Sequence, residues 1–293
     1  MRLHLAVLLA LGCAWGLTMP LMRVAVSTGH GPLGIVFWQQ LLTLAVCLGL
    51  LAALRLPWGL TRDRLGLFAV VAVFGTLLPG WIAFRTAAEL PAGIRAILIA
   101  IVPMFTLPIA LALGTERPDL RRTLGVLAGG LAVLLLLAPG ALPAARAGMV
   151  LLALGGPLAY AIEANWIAAR GAEGLHPFQI LAGASALGAL ASGPLALLTG
   201  ETASLAPPWG PPELAILASG VLNAFAYAGY VWLIAAAGAV FASQIAYLVT
   251  AAGMGWSMLL LGERYAPGIW LAAALMLGGI ALVRPRGDPA KDP

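Results

Sequence analysis

Apolar residues run along this chain in long stretches, cut by short clusters of charged and turn-forming residues. The stretches fall at 3–24, 33–54, 65–87, 93–113, 121–138, 147–169, 177–198, 213–235, 239–261 and 267–283. Each approaches the roughly 20 residues a helix needs to cross a bilayer, and helices satisfy their own backbone groups in lipid. The breaks are Ser27-Thr28-Gly29-His30-Gly31-Pro32, Thr61-Arg62-Asp63-Arg64 and Glu116-Arg117-Pro118-Asp119, among others. The longest, Gly200 to Pro212, is rich in proline and holds Trp209. The pattern predicts an all-α membrane protein with ten transmembrane helices, and a disordered cytoplasmic tail over 285–293. Met1-Arg2 and Leu11-Gly12-Cys13 imitate a cleavable leader, but the first stretch continues to Val26, so it is expected to stay as a span.

Composition agrees. Of 293 residues, 62% are hydrophobic and 9% charged, against about 25% charged in a soluble domain. Lipid is the solvent that fits. The net charge of +5 comes from arginines at the ends of apolar stretches. That placement fits membrane orientation rather than a nucleic-acid stripe. With ten spans both termini share a side. Arg2, Arg55, Arg62, Arg64, Arg117, Arg121, Arg122, Arg170, Arg284, Arg286 and Lys291 would lie there, against Arg23, Arg85, Arg95, Arg146 and Arg264 opposite. The bias predicts both termini in the cytoplasm. Cys13 and Cys47 sit inside apolar stretches and form no metal or disulfide framework.

The chain repeats itself. An offset of 147 brings Glu116-Arg117 onto Glu263-Arg264, each followed by an apolar stretch with a glycine pair, Gly129-Gly130 and Gly278-Gly279. Ala14-Trp15-Gly16 meets Ala159-Tyr160-Ala161 at an offset of 145. Two five-helix halves follow, 1–140 and 141–284. An odd number of spans per half inverts the second in the membrane, the arrangement of transporters whose halves rock about a midplane site. Gly125 and Gly129 form a small-xxx-small pair suited to close helix packing.

Those residues also carry a resemblance. Ala14-Trp15-Gly16, the run Ile101-Val102-Pro103-Met104-Phe105, and the ends Thr115-Glu116-Arg117 and Gly262-Glu263-Arg264 resemble the EamA family of the drug/metabolite transporter superfamily over nearly the whole chain. The resemblance implies a ten-helix inverted-repeat fold and export of amino acids or other small metabolites, with aromatic-amino-acid exporters the nearest functional type. Many relatives carry an arginine seven residues after the proline that opens the second span. Here Pro32 is followed at that position by Gln39, so no role of that arginine carries over.

Glu163 is the sharpest feature: an acid near the middle of the sixth span, where ionisable groups are costly and functional by default. It could carry a coupling proton, bind a substrate ammonium, or be a neutral acid hydrogen-bonded to a neighbouring helix. Tyr160, Glu163, Trp166 and Ile167 share one helical face, and Trp15, Thr18, Met19 and Met22 share the related face of the first span. Two such faces could line one cavity or simply pack. Gln39, Trp81, Asn223, Tyr227, Gln244 and Tyr247 complete the candidate substrate-binding set, because amides buried in hydrocarbon need partners. Trp58, Trp209 and Trp270 read as interface anchors. Pro20, Pro79, Pro103, Pro108 and Pro157 would free the carbonyls of Gly16, Gly75, Ile99, Met104 and Ala153. Glu116-Arg117 and Glu263-Arg264 read as solvated end charges.

Enzymatic parts are missing. There is no His-Glu-x-x-His or Gly-x-Ser-x-Gly, and no phosphate loop, since the sole lysine is Lys291. No catalytic residue, metal or cofactor is expected. The expected partners are the lipid bilayer and a small solute such as an amino acid, with protons a candidate and nucleic acid excluded. The expectation is a secondary transporter, multi-pass in a bacterial inner membrane, of undetermined oligomeric state. A membrane-embedded scaffold or binding subunit, or an enzyme on lipid-linked substrate, is the alternative.

Overall fold

A computed structural model describes residues 2–114, 119–137, 146–171, 173–237 and 245–282. Gln244, Glu116 and Arg117, the boundary at 140/141 and the tail at 285–293 lie outside them. The described residues are all-helical, with no strand. Helices α1 (Arg2–Ala25) and α2 (Pro32–Ala53) come first. The next run, α3 (Arg62–Ala87), is composite: a 3-10 turn at Arg62–Arg64, α-helix over Leu65–Val70, a π turn at Val71–Leu77, and α-helix over Leu78–Ala87. The run α4 (Ala92–Ala112) is broken between Ala92–Ile99 and Val102–Ala112. Then follow α5 (Leu120–Leu137), α6 (Ala147–Arg170), α7 (Pro177–Thr199), α8 (Pro211–Ala237), α9 (Ile245–Leu261) and α10 (Pro267–Leu282). Among the described residues seven of these, α1 to α7, are long and apolar enough to cross a membrane, and α9 and α10 hold shorter apolar helices, Tyr247–Leu261 and Pro267–Gly279.

The sequence explains where helices start and stop. Asp119 accepts hydrogen bonds from the N–H groups of Arg121 and Arg122 at 2.8 and 3.2 Å, capping α5. His176 and Gln179 form a reciprocal capping box at α7, which Pro177 opens and Gly200, at φ 75°, closes. Such caps satisfy helix-end groups that otherwise lack partners. Pro103 stands at the start of the second piece of α4, where its missing N–H costs nothing. Pro79 differs. Leu78 donates to the Val73 carbonyl, five residues back. Pro79 has no N–H to continue that ladder. Counted five residues back, in the π register, the carbonyl that Pro79 leaves without a donor is that of Phe74; counted four back, in the α register that follows, it is that of Gly75.

Small residues set the helix contacts, as close packing in lipid requires. A Cβ at Gly12 would collide with Leu248, and one at Gly16 would stand 2.8 Å from the Gly253 nitrogen, so α1 lies close against α9. Gly129 on α5 admits the sulfur of Met104. Large side chains left exposed, such as Leu198 at 83% and Leu259 at 77%, form the apolar exterior that lipid solvates.

The helix pairs have an order of their own. Helix α1 packs on α8 and α9, and α6 packs on α3 and α4. Helix α2 packs on α8, and α7 on α3; α2 meets α7, α4 meets α9, and α5 meets α10. Exchanging α1–α5 with α6–α10 leaves this set unchanged. Loops gather at two ends. At one end Gly31 and Gly34 donate to the Thr202 and Glu201 carbonyls, and Arg23 donates to the Ala87 carbonyl at 2.7 Å. At the other, Gln179 donates to the Pro57 carbonyl at 2.7 Å.

Candidate functional site

Glu163 lies on α6 opposite the π turn of α3. A Cβ at Gly75 would collide with its carboxylate, so the acid rests on the one residue of the turn that leaves room for it. Glu163 is half-buried and has no hydrogen-bond or ion-pair partner among the described residues. Trp166 and Ile167, on the same face, pack with Leu67, Phe68 and Val71 of α3, and Arg170 sits 5.5 Å over the Trp166 ring. Tyr160, one turn before the acid, and Tyr227 of α8 both lie within range of its charge.

The π turn is held from its other side. Gln40 of α2, 4% exposed, donates to the Thr76 hydroxyl at 2.6 Å, and that hydroxyl donates to the Ala72 carbonyl at 2.7 Å. Gly188 of α7 leaves space for the Gln40 amide. One buried amide thus ties α2, α3 and α7 together beside Glu163, and fills the need for a partner that a buried polar group has.

A second group joins α1, α2 and α8. The Trp15 indole N–H donates to the Asn223 side-chain oxygen at 2.8 Å, with the Tyr230 ring 5.9 Å from Trp15. Gln39 donates to the Ser219 hydroxyl at 3.0 Å. Thr18 is spent locally, donating to the Trp15 carbonyl at 2.6 Å, and Met19 packs into the cluster of Leu8, Leu233, Ile245 and Val249. Tyr247 packs against the α4–α5–α10 core, its hydroxyl buried and unpartnered among the described residues. Trp81 is set apart at a loop end, donating to Glu201 at 3.0 Å.

That loop end holds groups the sequence reading misjudged. Glu263 is no solvated end charge: its two oxygens accept from the Ala92 and Gly93 N–H groups at 2.8 and 3.2 Å, capping α4. Tyr265 donates to it at 2.5 Å. Burial first, and the bond to Glu263 second, raise the Tyr265 pKa and keep the hydroxyl protonated. Arg95 is no end charge either. It is 6% exposed and donates to the Met19 and Ala83 carbonyls at 2.6 and 3.3 Å. His30 pairs with Glu213 at 2.7 Å. Two cavities open here, of about 410 and 360 Å³, sharing Val26 and Ala88; Arg23 lines the first, and Arg85, His30 and Glu201 line the second. Glu263 was detectable only as half of the Glu-Arg repeat. The others carry no signal beyond residue type. No cluster of His, Cys, Asp or Glu able to hold a metal exists among the described residues.

The model of the EamA-like transporter family matches the chain twice, over residues 3–138 and 147–284. The chain belongs to the EamA-like transporter family. The two matches coincide with the two sets of helices whose pairings interchange. An EamA chain is a multi-pass membrane transporter of small solutes rather than an enzyme, with the lipid bilayer as its surroundings. A solved crystal structure of a protein is similar in fold, with a TM-score of 0.63 and 18% identity over 95% of this chain and 96% of that one. No curated protein matches the chain.

Proposed function

We propose that this EamA protein is a secondary transporter that exports amino acids or related small metabolites across a bacterial inner membrane. Ten transmembrane helices, two inverted five-helix repeats, rock about a central cavity, and both termini are cytoplasmic. Support for the inversion is the placement of loops. The α1–α2 loop meets the α7–α8 loop, whereas the α6–α7 segment meets the α2–α3 segment at the opposite end. Related loops thus fall at opposite ends, as inverted repeats require. The arginine bias favours the α2–α3 end as cytoplasmic.

The observation that carries the reading is Glu163, a carboxylate without a partner inside an apolar helix, facing a helical irregularity. Such a group is expensive in a membrane interior unless it does something there. We assign it the coupling proton. Trp15, Asn223, Gln39, Tyr160 and Tyr227 are the proposed cavity lining around it. The test is solute flux into liposomes holding the purified protein, with and without a pH gradient. Flux of an amino acid should accelerate with the gradient in the wild-type protein and lose that acceleration in Glu163→Gln. Flux that ignores both gradient and substitution removes the proton role. No flux across a broad panel of amino acids and metabolites removes the transporter reading.

A further inference from the structure

We propose that Glu163 and the π turn Val71–Leu77 together dock the ammonium group of the transported solute. Substrates are then primary-ammonium compounds, amino acids among them, and solutes bearing only a carboxylate are rejected. This inference rests on the transporter reading above and names the substrate class of its central site.

Apart from Asp63, exposed in the 3-10 turn of α3, the other described acids of the helices and their caps are engaged. Glu89 pairs with Arg85, Glu213 with His30, Glu201 accepts from Trp81, and Glu263 and Asp119 cap helices. Glu163 lacks a partner among the described residues. Beside it stands a second group in want of a donor. The π ladder sends the Leu78 N–H to Val73, and in that register Pro79 offers none for the next carbonyl, that of Phe74. Glycine at 75 brings the carboxylate against the backbone of the same turn. One carboxylate thus lies against the turn whose ladder Pro79 interrupts, with Tyr160 and Tyr227 near enough to feel its charge.

An ammonium has three N–H donors and no acceptor. It can satisfy the carboxylate and the carbonyl at once, and aromatic rings attract it. A proton satisfies the carboxylate but leaves the carbonyl bare. Hard metal cations gather six or more oxygens, more than this turn offers. No basic side chain among the described residues pairs with Glu163. Arg95, the buried cation of α4, is committed to backbone carbonyls at the loop end. A lone carboxylate therefore finds repulsion here and no counter-charge.

The experiment uses the full chain in detergent and matched triplets of probes: phenylalanine, 2-phenylethylamine and 3-phenylpropionate; leucine, isoamylamine and 4-methylpentanoate. Ligand that binds the folded state raises the melting temperature. An amino acid and its amine should both raise it, and the matching acid should not. The shift should vanish in Glu163→Gln and persist in Glu163→Asp, which keeps the charge. In Gly75→Ala, where the new methyl displaces the carboxylate, the apparent affinity should fall at least ten-fold. Equal shifts from acid and amine overturn the inference, as does an amine shift that survives Glu163→Gln. So does the absence of any shift by an ammonium compound. If flux in liposomes still depends on Glu163 and a pH gradient in that last case, the acid handles protons only and the transporter reading stands. Absence of both shift and flux sinks both.

Discussion

The two carboxylates that matter most here, Glu163 and Glu263, do opposite things with their oxygens. Glu263 gives both to the first turn of α4, 171 residues earlier in the chain. A carboxylate at a helix N-terminus gains from the orphan N–H groups and the helix dipole. Glu263→Ala should therefore lower stability by about 1–2 kcal/mol, measured as a drop in melting temperature in detergent, with the Glu163-dependent response to a pH gradient retained. Glu163 was legible in the sequence, because one charge in a long apolar stretch stands out. Glu263 was not. Its position at a helix end is the same whether it meets water or another helix, and only the tertiary fold decides. Arg95 was misjudged for the same reason: its carbonyl partners, Met19 and Ala83, come from α1 and α3.

At the scale of the element, α3 carries the irregularity that defines the site. A proline inside a helix costs about 3 kcal/mol, and here it is followed back to a π turn. Pi turns inside α-helices are often kept at functional positions. Pro79→Ala restores the missing N–H and lets the ladder return to α register. It should raise the melting temperature while reducing transport in liposomes, because Gly75 then rotates away from Glu163. A melting temperature that falls would contradict this account of the turn. The sequence marked Pro79 as a break but not the π turn before it, since residue order alone does not say in which register a helix absorbs a proline. Packing of α5 was easier to foresee. Gly125 and Gly129 invite close contact, and Gly129 indeed faces Met104 with no room for a side chain. Gly129→Leu should overpack this contact and cost about 1–3 kcal/mol, read as a lower melting temperature.

For the whole molecule, the apolar stretches and the offset repeat already outlined the helices and the two family copies. They did not show which helices touch. Contacts such as α1 with α9 depend on Gly12 and Gly16 meeting Leu248 and Gly253, and no periodicity pairs those residues. Sidedness can be checked directly. Asp63 and Ser204 are exposed at opposite ends. In a background lacking Cys13 and Cys47, Asp63→Cys should react with an impermeant maleimide only after cells are opened, and Ser204→Cys in intact cells. The reverse pattern would invert the proposed orientation.

The unchanged set of helix pairs also bears on how the two copies stay together. Helices α2 and α7, α4 and α9, and α5 and α10 each join one copy to the other, so each copy buries much of its helix surface on its neighbour. The peptide link between residues 138 and 147, which neither family match includes, then serves to deliver the halves in equal number. Two separate polypeptides, cut at that link and made in the same cell, should find each other in the bilayer and copurify, and either one made alone should be degraded.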